Sequence, residues 1–236
     1  ILEAREEELK IKAEAENLAK NGFVEVVLVG INLTSYGKGE EINICDAVDA
    51  VCSVSGIKRV RLGSLEPDHI TDQMLERFKK QEKFCPQFHL SLQSGSDSVL
   101  KRMNRHYTAK EYFEKVQILR KYFEYPAITT DIITGFPQES EDEFAQTVDF
   151  VKKVNFYETH VFRYSKRQGT PAAKMDGQLT DAVKAARSDV LLELAKEYGV
   201  PIFQSEKSTS DFMGEVIRWL KVELAPRISI HGVLVD

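Results

Sequence analysis

The feature that most constrains the fold is a regular alternation of short apolar segments with longer helical ones. Five strand-length segments, rich in β-branched and aromatic residues, recur at a spacing of roughly thirty residues, the size of one βαβ unit. These segments span residues 23–29, 59–62, 87–92, 127–133 and 159–164. Alternation of this kind favours a parallel sheet, either open or curved into a barrel. We therefore predict an α/β fold.

The segments between these strands carry the signals of helices. Strong helix formers fill the first segment up to Asn21-Gly22, where we expect the helix to end. Thr108 is a suitable N-cap, and Ser140 to Glu143 has the spacing of a capping box. We predict helices over residues 2–20, 44–54, 71–80, 109–123, 140–154 and 181–198.

Each predicted strand ends in polar residues, often with a glycine. The clearest example is residues 88–108, FHLSLQSGSDSVLKRMNRHYT, in which an apolar strand stops at Gln-Ser-Gly-Ser and a basic helix follows. Parallel α/β folds bind ligands at the carboxyl ends of their strands. We expect one such edge to gather Asn32, Ser64, Glu66, Gln93, Ser94, Asp131 and Ser165.

Composition narrows the class of protein further. A net charge of −5 argues against a surface that clamps nucleic acid by charge alone. The longest apolar runs have the length of strands, and the charged N-terminus lacks an apolar signal region, so we expect no membrane association and no secretion. Three cysteines without a disulfide framework suggest reduced thiols and a cytoplasmic location.

The pattern changes after Gly199. A strand over residues 200–203, a helix over 209–220 and a strand over 227–235 make one more βαβ element. We therefore predict a core domain over residues 1–198 and an appended element over 199–236. The two strands of this element are suited to completing the same sheet, or to covering an edge that would otherwise be unpaired.

Five stretches, in sequence order, resemble one enzyme family. They read LVGINLTSYG, RVRLGSLEP, FHLSLQSGSDSVLKRMNRHYT, TTDIITGFPQESEDEF and HVFRYSKRQGTPAAKM. Together they resemble the radical S-adenosylmethionine core of tRNA methylthiotransferases, in particular the kind that modifies threonylcarbamoyladenosine. The resemblance covers about residues 14–197. It implies a partial parallel (β/α) barrel lacking its first strand, S-adenosylmethionine and a [4Fe–4S] cluster as cofactors, and tRNA as partner.

The resemblance also implies roles for individual residues. Gln93 and Ser94 would approach the ribose and carboxylate of S-adenosylmethionine, although Ser94 also suits a helix-capping turn. In the family, cofactor contacts would fall on Gly30, Asn32, Ser64, Gln93, Ser94, Ile133 and Gly135. Each glycine has a simpler reading as the end of a strand or part of a tight turn. No side chain is assigned a catalytic role, because the family abstracts hydrogen with a radical, and none is assigned as a metal ligand.

The cysteines depart from the family pattern. The family's CxxxCxxC cluster loop precedes the first helix of this chain, and Cys45, Cys52 and Cys85 do not form such a triplet. The family's amino-terminal cluster domain and carboxyl-terminal RNA-binding domain are also absent, so the sequence reads as a truncated core. Three thiolates hold the cluster and leave one iron open to the cofactor. We therefore expect the chain alone to bind neither cofactor, to be inactive, and to depend on other segments for tRNA.

The last residues carry a second resemblance. Residues 193–236 are similar to the join between the two domains of bacterial HPr kinase/phosphorylase, and His231 matches an active-site histidine of that family. The phosphate-binding loop, G-x-x-x-x-G-K-[ST], would follow Asp236. The two resemblances together indicate a chimera of two family fragments.

Two further functional hypotheses stay open from the sequence. One is a non-catalytic α/β scaffold, and the other is a phosphate- or nucleotide-binding fragment related to HPr kinase. His69, His89 and His160 fall on different βα repeats, so the sequence does not identify a metal site. No protein partner can be inferred.

Overall fold

The computed structural model describes residues 2–30, 33, 36–37, 42–198 and 232–234. It divides into two compact units: one built from residues 1–63, 77–85 and 200–236, the other from residues 64–76 and 86–199. The strand predicted over 200–203, the helix over 209–220 and most of the strand over 227–235 lie outside the described residues.

The first unit is a three-stranded parallel sheet with helices. Its elements are α1 (Leu2–Lys20), β1 (Glu25–Val29), α2 (Ile44–Cys52), β2 (Arg59–Leu62) and β7 (Gly232–Leu234). The strand order is β2-β1-β7, and β1 pairs in parallel with both neighbours. Three described residues of the tail therefore extend the sheet at the edge of β1.

The core of the first unit comes from alternating positions in β1 and one stripe of α1. Val26 and Leu28 are fully buried in β1, as expected for a strand with period two. Ile11, Ala15 and Leu18 are buried at intervals of four and three residues, the spacing of one helical face. The helix ends before Asn21 and Gly22, as predicted.

The second unit is a four-stranded parallel sheet in the order β3-β4-β5-β6. Its strands are β3 (Ser64–Leu65), β4 (Gln87–Leu90), β5 (Ala127–Thr134) and β6 (Glu158–Arg163). Its helices are α4 (Asp97–Arg102), α5 (Ala109–Tyr122), α6 (Glu141–Val154) and α7 (Asp181–Tyr198), and the division between units falls within α3 (Asp72–Lys80). Short 3₁₀ turns span Pro67–His69 and Ala172–Lys174.

The two faces of this sheet differ in chemistry. Phe88 is in register with Ile128, and with Leu90 and Ile132 they form a fully buried apolar face. The alternate positions on the other face are largely polar, and His89 of β4 is in register with Thr129 of β5. Since successive side chains of a strand point to opposite faces, this polar face is continuous across β4, β5 and β6.

Local capping signals determine where two helices begin. The Thr108 and Ser140 hydroxyls accept hydrogen bonds from the backbone N–H groups of Glu111 and Glu143, whose carboxylates accept from the cap residues' N–H groups in return. Both helices therefore begin with complete capping boxes. The box at Ser140 was predicted, whereas Thr108 was predicted only as an N-cap.

The α/β class with parallel pairing is confirmed. The expectation that Asp131 lies at the carboxyl edge is wrong, because Asp131 is within β5 and pairs with His160 before the strand ends at Thr134. Among the described residues, no helix has the length and apolar character needed to cross a membrane.

Candidate functional site

Gln93 is the most constrained residue at the carboxyl edge of the second unit. Its backbone has φ 69°, its N–H donates to the Asp131 carbonyl at 2.8 Å, and its carbonyl accepts from the Ile133 N–H at 2.9 Å. A non-glycine residue held in this left-handed region costs about 1–3 kcal/mol and is enriched at ligand sites. The two backbone bonds to β5 hold Gln93 in this conformation.

The strained conformation follows an interruption of the β4–β5 ladder. The carbonyl of Leu90 accepts from the hydroxyls of Thr130 at 2.6 Å and Tyr112 at 2.8 Å, and the Leu92 N–H donates to Thr130 Oγ1 at 3.0 Å. Burial raises the pKa of Tyr112, which keeps its hydroxyl protonated as a donor. Two side-chain hydroxyls thus replace ladder bonds, and regular backbone pairing resumes only at Gln93.

The turn after Gln93 is fixed to α6 by hydroxyl groups. Ser94 Oγ lies 3.2 Å from Thr147 Oγ1 and accepts from the Ser96 N–H at 3.2 Å, and the Gly95 N–H donates to Thr147 Oγ1 at 3.1 Å. A Cβ on Gly95 would lie only 2.7 Å from the Phe150 Cβ, so glycine is needed for this close approach. Ser94 is fully buried and holds the shape of the turn.

Gly135 closes the neighbouring loop. Its φ is +72°, and its N–H donates to Glu139 Oε2 at 2.8 Å. Burial raises the pKa of Glu139. The hydrogen bond from this N–H and the Arg187 guanidinium, which lies 2.7 Å from the same oxygen, act in the opposite direction and lower it. A Cβ on Gly135 would lie 2.4 Å from Lys184 Cγ. The loop after β5 is therefore held by a buried ion pair and has no room for a side chain.

Tyr164 provides a polar group suited to an external ligand. It directly follows β6, and its hydroxyl is buried without a hydrogen-bond partner among the described residues. Its ring packs edge-on against Phe136 at 5.3 Å. An unpaired buried hydroxyl costs about 1–3 kcal/mol, so a bound polar group or water would stabilise this position. Tyr164 has no signal in the sequence that marks it as a site residue, because the burial of one hydroxyl without a partner depends on the fold.

The structure brings some predicted site residues together. Gln93 and Ile133 are hydrogen-bonded, and Ser64 at the exposed edge of β3 is in register with His89. Gly30 directly follows β1 in the first unit. Asn32 lies outside the described residues. The predicted contacts of all these residues, and of Ser94 and Gly135, with a cofactor stay predictions.

The basic helix after the Gln-Ser-Gly-Ser turn pairs with acids of this unit. Arg102 binds Glu143 in bidentate fashion, with N–O distances of 2.9 and 2.6 Å. The hydrogen bond from Arg102 is the main reason that the pKa of Glu143 falls to about 2. Arg105 lies 3.6 Å from Glu66. Both arginines thus have internal carboxylate partners.

The structure also brings together His89, Asp131 and His160, which we call the His–Asp–His cluster. One donor atom from each residue lies within 4.8 Å of the other two. His89 Nε2 is 3.3 Å from Asp131 Oδ2, and His160 Nδ1 is 3.1 Å from Asp131 Oδ1. From the sequence alone, His89 and His160 are only histidines on different βα repeats, because their proximity depends on strand register.

Cys45 and Cys52 do not suit an iron–sulfur cluster. Cys45 and Cys52 are buried in α2, and burial raises the pKa of each thiol to about 11. Cluster iron binds thiolates, which burial of this kind disfavours. The [4Fe–4S] cluster that the family uses therefore has no matching ligand set among these thiols.

Two family models match the sequence. The radical SAM superfamily model matches residues 4–151, more than half of the chain. The model for the N terminus of HPr serine kinase matches residues 179–220. Of the second range, the structure describes only residues up to Tyr198, which belong to α7.

Curated relatives give the same family for most of the chain. The threonylcarbamoyladenosine tRNA methylthiotransferase MtaB of Thermotoga maritima is 40% identical over 189 residues, 80% of this chain and 44% of that protein. A tRNA-2-methylthio-N(6)-dimethylallyladenosine synthase of Thermoanaerobacter sp. is 38% identical over 221 residues, 93% of this chain and 46% of that protein. This second match necessarily includes most of residues 179–220. The chain spans less than half the length of these relatives.

A solved structure supports the fold alone. Methylornithine synthase (PylB) has a TM-score of 0.55 with 16% identity, covering 80% of this chain and 52% of that protein. The family rests on the sequence match to the radical SAM model, which covers residues 4–151. The chain belongs to the radical SAM superfamily.

Proposed function

We propose that this chain is the cofactor-positioning core of a tRNA methylthiotransferase that modifies an adenosine, and that threonylcarbamoyladenosine is the substrate nucleoside. The observation that supports this most is the fixed, left-handed Gln93 at the carboxyl edge of the second unit. It lies within a stretch that resembles the methylthiotransferases. The Thermotoga maritima enzyme and a tRNA-2-methylthio-N(6)-dimethylallyladenosine synthase of Clostridium botulinum are both 40% identical over 189 residues, which supports a modified adenosine as substrate. The choice of threonylcarbamoyladenosine rests on the resemblance of the sequence motifs.

In this proposal the edge of the sheet orients S-adenosylmethionine, which supplies the radical chemistry of the superfamily when bound. The Gln93 amide, the Ser64 hydroxyl and the Tyr164 hydroxyl offer hydrogen bonds to a polar, zwitterionic ligand. Ile133 offers an apolar surface for the adenine, and Gly135 allows the close packing of Lys184 that shapes the loop beside it.

Ser94 acts in this proposal by positioning. Its hydroxyl hydrogen-bonds with Thr147 and accepts from the Ser96 N–H, so it holds the turn that carries Gln93. We infer that loss of the Ser94 hydroxyl would weaken cofactor binding through Gln93.

We further propose that this chain alone does not assemble the cluster and is inactive by itself. Buried thiols with a raised pKa are poor ligands for iron. Anaerobic reconstitution with iron and sulfide should therefore give no visible-range cluster absorption and no turnover of S-adenosylmethionine. A stable cluster spectrum accompanied by cleavage would contradict this part of the proposal.

A hybrid enzyme tests the function directly. The matched 189 residues of the Thermotoga maritima enzyme would be replaced by those of this chain, so that the relative supplies all remaining segments. We expect the hybrid to methylthiolate its tRNA. A hybrid that folds and carries its cluster but leaves both S-adenosylmethionine and tRNA unchanged would favour the non-catalytic scaffold instead.

The tail supports a second candidate only through its family match. A phosphate- or nucleotide-binding fragment is suggested by the HPr kinase model at residues 179–220. His231, the histidine that resembles that family's active site, lies outside the described residues, and the sequence contains no G-x-x-x-x-G-K-[ST] loop. Calorimetry with ATP is the discriminating measurement, and the absence of heat would dispose of this alternative.

A further inference from the structure

We propose that the His–Asp–His cluster is a binding site for one divalent first-row transition-metal ion. The cluster lies on the polar face of the second unit's sheet, with His89 on β4, Asp131 on β5 and His160 on β6. The three residues are not among those that we assign to S-adenosylmethionine. The proposal is therefore independent of the proposed function.

The distances between donor atoms suit a common metal ligand sphere. Zn–N bonds of about 2.0–2.1 Å in a tetrahedral site place neighbouring donors about 3.3 Å apart. His89 Nε2 and His160 Nδ1 lie 3.3 and 3.1 Å from the two oxygens of Asp131. One donor from each of the three residues lies within 4.8 Å of the others, so small side-chain rotations would converge them on one ion.

Each imidazole also has an outer partner for its second nitrogen. His89 Nδ1 lies 2.9 Å from Thr129 Oγ1, and His160 Nε2 lies 3.4 Å from Glu158 Oε1. Metal-binding histidines usually donate their other N–H to such a group, which fixes the tautomer and the ring orientation. The arrangement leaves His89 Nε2 and His160 Nδ1 as the two nitrogens directed toward the metal.

The backbone makes this arrangement rigid. Asp131 is in register with His160, and Thr129 is in register with both His89 and Glu158. Parallel pairing therefore places all five side chains on one face of three adjacent strands. The side chains of His89 and Asp131 are 14% and 27% exposed, so both are partly shielded from water and still reachable by an ion.

The donor set selects the class of metal. Imidazole nitrogen suits zinc, iron, nickel and copper better than magnesium or calcium, which prefer all-oxygen sites. Two histidines and one carboxylate leave coordination positions open, as in catalytic zinc and non-haem iron sites. We therefore expect one ion with room for an exogenous ligand.

Cobalt(II) titration of the complete chain tests the proposal, because its visible spectrum reports the ligands. We expect one equivalent to bind with imidazole and carboxylate coordination and without the intense thiolate charge-transfer bands that Cys85 or the other cysteines would give. Competition with Zn²⁺ should displace the cobalt. Binding with a thiolate spectrum, or no binding above background, would overturn the proposal.

Matched variants locate the ion. Asp131→Asn removes a charged ligand, and His69→Gln removes an exposed histidine of the same unit, which lies 3.5 Å from Asp68. We expect Asp131→Asn to abolish stoichiometric binding and His69→Gln to leave it unchanged. Thr129→Val, which removes only the outer partner of His89, should weaken binding about 10- to 100-fold. Equal affinity in all three variants would contradict the assignment.

A measurement on the unmodified chain avoids dependence on variant folding. In ¹⁵N spectra of the histidine rings, Zn²⁺ should lock His89 with its proton on Nδ1 and His160 with its proton on Nε2. The ring signals of His69 and His106 should stay in place. Zn²⁺-induced shifts confined to other histidines would refute the site.

Discussion

At the residue scale, Gln93 combines an unfavourable left-handed backbone with a side-chain amide that we propose to bind the cofactor. Its left-handed backbone is easy for glycine and costly for any residue with a Cβ. We expect Gln93→Gly to raise the free energy of unfolding by about 1 kcal/mol relative to Gln93→Ala. Urea unfolding of the two variants measures the difference. A more stable alanine variant would contradict the strained conformation.

Gly135 is constrained by both conformation and space, whereas Gly169 is constrained by conformation alone. Both have positive φ, but a Cβ on Gly135 would meet Lys184 Cγ at 2.4 Å and a Cβ on Gly169 would meet nothing within 4 Å. Gly169→Ala should cost about 1–2 kcal/mol. Gly135→Ala should cost about 1–3 kcal/mol more because of overpacking. Equal losses in thermal unfolding would show that the loop relaxes freely.

The partners of individual side chains mark the limit of sequence analysis at this scale. Gln93 and Gly135 could be selected as site residues because their motifs carry the resemblance. The hydroxyl partner of Ser94 could not be anticipated, since Thr147 is on α6, far away along the chain. Asp131 was placed at an edge because of its polar character, although it lies inside the strand predicted over 127–133 and observed over Ala127–Thr134.

At the element scale, the ion pair between Arg102 and Glu143 links α4 to α6. The pKa of Glu143 is about 2, below its ordinary value of 4.5. A depressed carboxyl pKa gives stability that is present above the unfolded-state pKa and is lost as pH falls through the folded-state pKa. The contribution of this pair should therefore disappear as pH falls from about 4.5 to about 2.

A comparison of one arginine variant with one lysine control measures the contribution of the Arg102–Glu143 pair to stability. Arg102→Met should lower the free energy of unfolding by about 1–2 kcal/mol at neutral pH, and the loss should vanish near the acid limit. Lys110→Met is the control, since Lys110 and Glu114 form an exposed pair 3.9 Å apart. It should change stability little at any pH. A pH-independent effect of Arg102→Met would refute the linkage.

The N-cap of α6 provides a separate test of element stability. The Ser140 hydroxyl accepts a hydrogen bond from the Glu143 N–H at 3.1 Å. Ser140→Ala should therefore lower the free energy of unfolding by about 1 kcal/mol. Ser140→Thr keeps the hydroxyl and should cost less. The midpoints of chemical unfolding give both values, and equal losses would show that the hydroxyl does not stabilise the helix.

Elements of this kind were predictable because their signals are local. The bounds of β2 and α7 agree with the sequence prediction to the residue, and the capping box at Ser140 was recognised from a four-residue pattern. The two-residue strand β3 was not predicted, because so short a segment has no periodicity to detect. The His–Asp–His cluster depends on the register of three strands, which single-sequence reasoning does not fix.

At the scale of the whole molecule, the pairing of β7 with β1 connects the tail to the first unit. The carbonyls of Val24 and Leu28 accept hydrogen bonds from the N–H groups of Arg59 and Gly63, on the side of β1 that faces β2. By alternation, Val27 and Val29 direct their N–H groups toward β7. The tail should therefore protect only alternate amides of β1.

Hydrogen exchange after Val233→Pro tests this arrangement, because proline removes a donor and disrupts the short strand. We expect the amides of Val27 and Val29 to lose protection at least tenfold, while those of Val26 and Leu28 keep theirs. Unchanged exchange at all four amides would show that the tail strand does not pair with β1 in solution.

The central claim is that the carboxyl edge of the second unit positions S-adenosylmethionine. The most direct test is the affinity of the cluster-loaded hybrid enzyme for S-adenosylmethionine, measured for the unmodified core, Gln93→Ala and the exposed-surface control Tyr125→Ala. Loss of one hydrogen bond within a site should weaken binding about tenfold in Gln93→Ala. Tyr125→Ala should bind like the unmodified core. Equal affinity in all three proteins would contradict the claim.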